Sequence, residues 1–161
     1  MGQAICRFCR WTRGLNIPVA RVSPKIRITL TRKKSLSSRL KADIHLYTVV
    51  PHAHHLCREF RLAATLPDGS FEPLLWITDW DMDWQDQYRF SLPVALPAGT
   101  VLTLAAYFDN SEDNLRNPNK PPKRVRYGVE TKAEMCACHL EFLVDDPRAR
   151  SIYTHKSPFG L

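Results

Sequence analysis

From Ala42 onward, apolar and polar residues alternate in short runs with a period of two rather than 3.6. Ile44, Leu46, Thr48 and Val50 alternate with His45, Tyr47 and Val49, the pattern of a strand buried on one face. Pro51 then interrupts the run. Phe60, Leu62, Ala64 and Leu66 define a second apolar face, and Phe71 to Thr78 a third strand. Pro67-Asp68-Gly69 between them is turn chemistry, so residues 60–78 read as a hairpin. Asp79 to Tyr88, dense in acids and aromatics, reads as a bend leading into a strand through Phe90. Leu96 to Thr100 is another turn. Leu102, Leu104, Ala106 and Phe108 share the face of the next strand. Asp109 to Pro122 is a polar, proline-rich loop of about fourteen residues, a length that points to function or mobility. Val125 to Tyr127 and Glu134 to Val144 are the last strands. Short strands separated by turns, with no amphipathic helix, predict an all-β, antiparallel β-sandwich.

Composition agrees with one domain that has a core of its own: 161 residues, 44% hydrophobic and 24% charged. Twelve prolines against six glycines favour strands and loops over long helices. No apolar run approaches the ~18 residues of a membrane helix. The net charge of +7 divides unevenly. Residues 1–42 hold eleven of the 23 Lys/Arg and none of the 16 Asp/Glu, so the rest of the chain is mildly acidic. The chain therefore divides into a basic, poorly structured leader over residues 1–40, a sandwich over 41–145 and a C-terminal tail over 146–161. Within the leader, Lys25 to Leu30 alternates like a strand, and Thr31 to Ser35 is a charge cluster. Arg7, Arg10 and Arg13 interrupt any secretory signal core. The leader's composition fits a transit peptide, a solvated tail or a nucleic-acid-binding arm. Because the basic charge lies outside the sandwich, nucleic-acid binding is the weakest functional reading. Five cysteines are an odd number and make no small disulfide framework, and Cys6 and Cys9 form a lone CxxC of ordinary thiols.

Candidate chemistry gathers at Pro51-His52-Ala53-His54-His55-Leu56-Cys57. On a strand His52 and His54 share a face and His55 takes the other. Two imidazoles so placed are half of a transition-metal site. His45, His139, Met82, Met135 and the cysteines are candidates to complete it. A thioether added to two imidazoles suits copper, above all Cu(I). Met135, Ala137 and His139 share a face of the last strand. These residues alone leave the choice open. Asp79, Asp81, Asp83 and Asp86 are of the type that orients ligating imidazoles. Trp76, Trp80 and Trp84 read as core and bend packing, and Met82 as filling. His45 and His155 read as ordinary surface histidines.

His52-Ala53-His54-His55-Leu56, followed some eighty residues later by Glu134-Met135-Cys136 on another strand, resembles the copper type II, ascorbate-dependent monooxygenases. These include the peptidylglycine α-hydroxylating and dopamine β enzymes, and the resemblance is to their C-terminal domain over roughly residues 42–145. It implies a jelly-roll-like β-sandwich holding one catalytic copper on His52, His54 and Met135. The implied activity is C–H hydroxylation of a small-molecule or peptide substrate, using O2 and a reductant such as ascorbate. An electron-supplying copper domain would act in trans, because the family's other domain, with its three-histidine copper, has no counterpart here. An extracytoplasmic setting is usual for the family. In the peptide-amidating branch, the positions of Val50, Ala137 and His139 hold Arg, Asn and Tyr that engage the substrate. A glycine-extended peptide is therefore not the expected substrate. The cysteine that pairs with the one after the ligand methionine falls at about Ala106, which leaves Cys136 without that partner. The alternative is a non-catalytic sandwich that binds copper or serves as an interaction module.

Overall fold

The computed structural model describes residues 4–6, 16–17 and 32–149. Among these are ten strands and one 3-10 turn, Pro147–Ala149. One sheet has the order β1 (Ala4–Cys6), β10 (Cys136–Val144), β4 (Ile44–Ala53) and β7 (Tyr88–Leu96). The other has the order β3 (Arg32–Arg39), β8 (Val101–Phe108), β5 (Cys57–Thr65) and β6 (Phe71–Ile77). The two-residue strands β2 (Asn16–Ile17) and β9 (Val125–Arg126) form a separate ribbon. Every strand pairing is antiparallel. The expected all-β, antiparallel architecture is what the chain adopts.

The sheets share one core. Ile44, Leu46, Val49, Ala53, Leu140 and Phe142 come from the first, and Phe60, Leu62, Ala64, Leu102, Leu104, Ala106 and Phe108 from the second. The apolar alternation over 60–66 and 102–108 is thus the buried face of β5 and β8. Trp80, at the start of the bend before β7, is 1% exposed and stacks on Phe60 with ring centres 5.6 Å apart. The expected packing role holds for Trp80 alone of the three: Trp76 and Trp84 are 62% and 74% exposed. The β5–β6 hairpin closes through Leu66 N–H to Ser70 O at 2.9 Å and Gly69 N–H to Leu66 O at 2.9 Å. Gly69 has φ +87°, a conformation that favours glycine.

Two features depart from simple alternation. The first lies in β4, where both registers step past Tyr47: Glu141 pairs with Thr48 and Phe142 with Leu46, and on the other side Thr48 pairs with Arg89 and Leu46 with Val94. This is a β-bulge. Thr48 and Val49 are buried in succession, so the inward set changes from 44, 46 and 48 to 49, 51 and 53. Val50 and His52 consequently face out, whereas unbroken alternation would have sent His52 towards the core. Second, Pro51 does not interrupt β4. The β4–β7 register ends at Val49↔Tyr88, so beyond it β4 pairs with β10 alone, and a strand flanked on one side tolerates a residue without an N–H.

β3 lies inside the segment read as a leader and pairs along the whole of β8, from Arg32↔Phe108 to Arg39↔Val101. It covers an edge that β8 would otherwise present. Lys25 to Leu30, Cys9 and His155 lie outside the described residues. The 109–122 loop is tied down by its asparagine amides. Asn114 Nδ2 donates to Asp109 O at 2.7 Å, Asn117 Nδ2 to Asn110 Oδ1 at 2.9 Å, and Asn119 Nδ2 to Lys132 O at 3.3 Å. Among the described residues no helix is long and apolar enough to cross a membrane.

Candidate metal centre

The β4 bulge sets His52 on the outer face, and the chain leaves β4 at Ala53 with His54 on the same side. The two rings meet edge to face, with centres 5.2 Å apart and planes at 88°. His54 is 2% exposed and His52 half-buried. His55, in the turn that follows, is half-buried. Cys136 pairs with Ala53 and Ala137 with His52. Met135, one residue before Cys136, therefore stands beside His54 at the entrance to β10.

Glu134 joins these two segments. It is fully buried, and its Oε1 accepts the N–H of His54 at 2.6 Å and that of Met135 at 2.8 Å. Its Oε2 accepts the N–H of Leu56 at 3.0 Å. One carboxyl group thus holds the histidine turn and the methionine to each other. Burial pushes this carboxyl up to about 8, and the N–H donors of His54, Met135, Leu56 and Cys57 pull it back.

Each imidazole has its Nδ1 engaged. His54 Nδ1 lies 3.2 Å from the Ala133 carbonyl oxygen, and His52 Nδ1 lies 2.6 Å from Oε1 of Gln85. A backbone carbonyl only accepts, so the Ala133 contact holds a proton on Nδ1 of His54. Burial lowers the His54 pKa from 6.5; the Ala133 and Glu130 carbonyls oppose this and the neighbouring His52 and His55 add to it. The neutral, metal-competent form is therefore favoured.

The spacing of the two ring centres is close to that of two imidazoles on one transition-metal ion. Imidazoles bound through one nitrogen each at about 2.0–2.1 Å, at a tetrahedral angle, have ring centres roughly 5 Å apart. Among the described residues no three of His, Cys, Asp and Glu cluster as a metal site. Of the donors of another type, the Met135 thioether has the softness Cu(I) prefers. The other candidates differ in position: Met82 is close, its carbonyl accepting from the Gln85 that meets His52, and His139 lies on the same outer face as His52. His45 pairs with Asp145 at 3.1 Å, far along β4. Cys57, Cys136 and Cys138 are buried thiols of the core, none in a disulfide. Burial pushes the Cys57 thiol well above its ordinary range. His139 faces outward opposite Val50.

Of the aspartates named as orienting groups, Asp79 and Asp81 do other work. Asp79 meets Arg58 and Arg116 at 3.4 and 3.0 Å, and Asp81 meets Arg116 at 3.6 Å. Gln85 and the Ala133 carbonyl orient the rings instead. Neither carries a sequence signal: Gln85 is one polar residue in a polar bend, and a backbone carbonyl is blind to side-chain identity. Glu134 was visible as an acid opening an apolar strand, without its role.

No protein-family model matches the chain, and a search of curated proteins returned no match.

Proposed function

We propose that this chain is a copper-dependent monooxygenase catalytic domain that holds one copper ion on His52, His54 and Met135. The observation that carries the reading is the 5.2 Å imidazole pair, with Nδ1 of each ring engaged, beside a methionine that shares the Glu134 carboxyl with His54. The sequence resemblance to the ascorbate-dependent copper monooxygenases points to the same three residues. Strand order adds support to the jelly-roll part of the reading. Without the two-residue β2 and β9, the sheets run first-eighth-third-sixth and second-seventh-fourth-fifth, the order of a double Greek key.

Copper bound there would supply O2 activation, with one oxygen atom delivered to a substrate carbon as hydroxyl and the other released as water, at a cost of two electrons and two protons. The chain's own part is positional. Ala133 and Gln85 aim the imidazoles, Glu134 fixes the spacing of His54 and Met135, and the core beneath β4 and β10 keeps water from the inner side. The electrons come from a reductant such as ascorbate, through an electron-supplying copper domain acting in trans. The substrate is a small molecule or peptide bound over the outer face of β4 and β10.

Copper titration of the purified protein tests this. One Cu(I) per chain is expected, with uptake weakened sharply by His52→Ala and Met135→Ala and little by His55→Ala. Uptake indifferent to both His52→Ala and Met135→Ala would overturn the site. Copper uptake without O2 consumption, even with ascorbate and a supplied electron-transfer domain, would favour the non-catalytic copper-binding module.

A further inference from the structure

We infer that Gln85 is a positioning residue that selects the tautomer of His52, and so decides which ring nitrogen is offered to a metal. The consequence for copper rests on the site reading above; the tautomer assignment does not. An amide side chain can turn either end towards an imidazole, but here its orientation is fixed independently. Gln85 Nε2 donates to the Met82 carbonyl oxygen at 2.7 Å, and a carbonyl has no proton to give. The other end, Oε1, is then the atom 2.6 Å from His52 Nδ1. An amide oxygen only accepts, so the proton is on Nδ1 and the lone pair on Nε2.

The arm that presents Gln85 is braced. Trp84 N–H donates to Asp81 O at 3.2 Å, and Asp83 N–H to Asp81 Oδ1 at 2.9 Å, which closes the turn. Arg116 reaches in from the long loop to the Trp80 carbonyl at 2.7 Å and to Asp79 at 3.0 Å. Trp80 itself is sunk in the core against Phe60. The same long loop touches the other ring's support, because Asn119 donates to Lys132 O next to the Ala133 carbonyl that holds His54.

The two imidazoles thus differ in a testable way. His54 is set by backbone, which no substitution removes. His52 is set by a side chain that is exposed, so replacing it should leave the fold intact. In Gln85→Leu, water takes the amide's place, and water donates as readily as it accepts. In Gln85→Glu, the carboxylate again only accepts.

Ring 15N–1H correlation spectra of the metal-free protein read the tautomers directly. Wild type should show Nδ1–H on both His52 and His54. Gln85→Leu should move His52 to a mixture, leave His54 unchanged and weaken Cu(I) binding by roughly tenfold to a hundredfold. Gln85→Glu should return His52 towards Nδ1–H, in part only, because a carboxylate accepts from His52 but has no proton for the Met82 carbonyl. A wild-type His52 carrying its proton on Nε2, or a His52 tautomer unaltered in Gln85→Leu, would overturn the inference. Copper affinity indifferent to both Gln85→Leu and His52→Ala, with the tautomer shift present, would instead overturn the copper reading and leave the tautomer role standing.

Discussion

Glu134 and His54 concentrate the residue-scale physics. The Glu134 carboxyl satisfies the backbone N–H groups of His54, Met135 and Leu56 where water does not reach. Each buried donor left without an acceptor costs about 1–3 kcal/mol, so Glu134→Ala should lower stability by roughly 3 kcal/mol or more in a urea melt. Glu134→Gln should lie between, because one acceptor oxygen survives while an NH2 confronts another donor. His54 gives a pH signature. Its folded pKa lies below the ordinary 6.5, mainly through burial. Just below pH 6.5 the unfolded chain therefore binds the extra proton at this residue and the folded chain does not, so the His54 contribution to stability falls as the pH drops through that region, while Glu134, raised to about 8, contributes in the opposite sense. An NMR titration of the metal-free protein should find the His54 midpoint below 6.5.

Among the elements, β4 shows what alternation can and cannot reveal. The runs at 60–66 and 102–108 could be placed in the core from their period alone, because β5 and β8 keep the inward register of Phe60, Leu62, Ala64 and of Leu102, Leu104, Ala106, Phe108. In β4 the same rule fails after Leu46, since the extra residue at Tyr47 reverses the faces. Nothing in the local composition marks a bulge: it answers to the registers of β7 and β10. The pairing of His52 with His54 was legible because both lie beyond the bulge and keep their own spacing of two. Their outward direction was not. The turn before β10 carries a second constraint. A Cβ on Gly128 would stand 2.6 Å from the Ala133 Cβ, so Gly128→Ala must push that segment away. The expected cost is about 1–3 kcal/mol, with weaker copper uptake, since Ala133 holds His54 and Glu134 follows it. Gly69→Ala meets no atom within 4 Å but keeps φ +87°, so it should cost about 1 kcal/mol and leave copper uptake unchanged. Calorimetry with copper titration of the two variants separates a local effect at the site from general loss of stability.

The whole molecule places the candidate centre on a rigid support. Both sheets bury their inner faces in one core, and His52 stands on the face of β4 turned away from it, with the buried His54 against it. Charge divides along the chain, with residues 1–42 purely basic and the remainder mildly acidic, yet β3 belongs to the sheet that packs behind the site. In the proposed centre two imidazoles and one thioether, from two neighbouring segments, bind a single copper ion. X-ray absorption on the Cu(I)-loaded protein reads that ligand set. Two imidazole nitrogens and one sulfur are expected around the copper in wild type, with the sulfur lost in Met135→Ala and the imidazole contribution halved in His52→Ala. A wild-type spectrum without sulfur, or one unchanged in Met135→Ala, would contradict it.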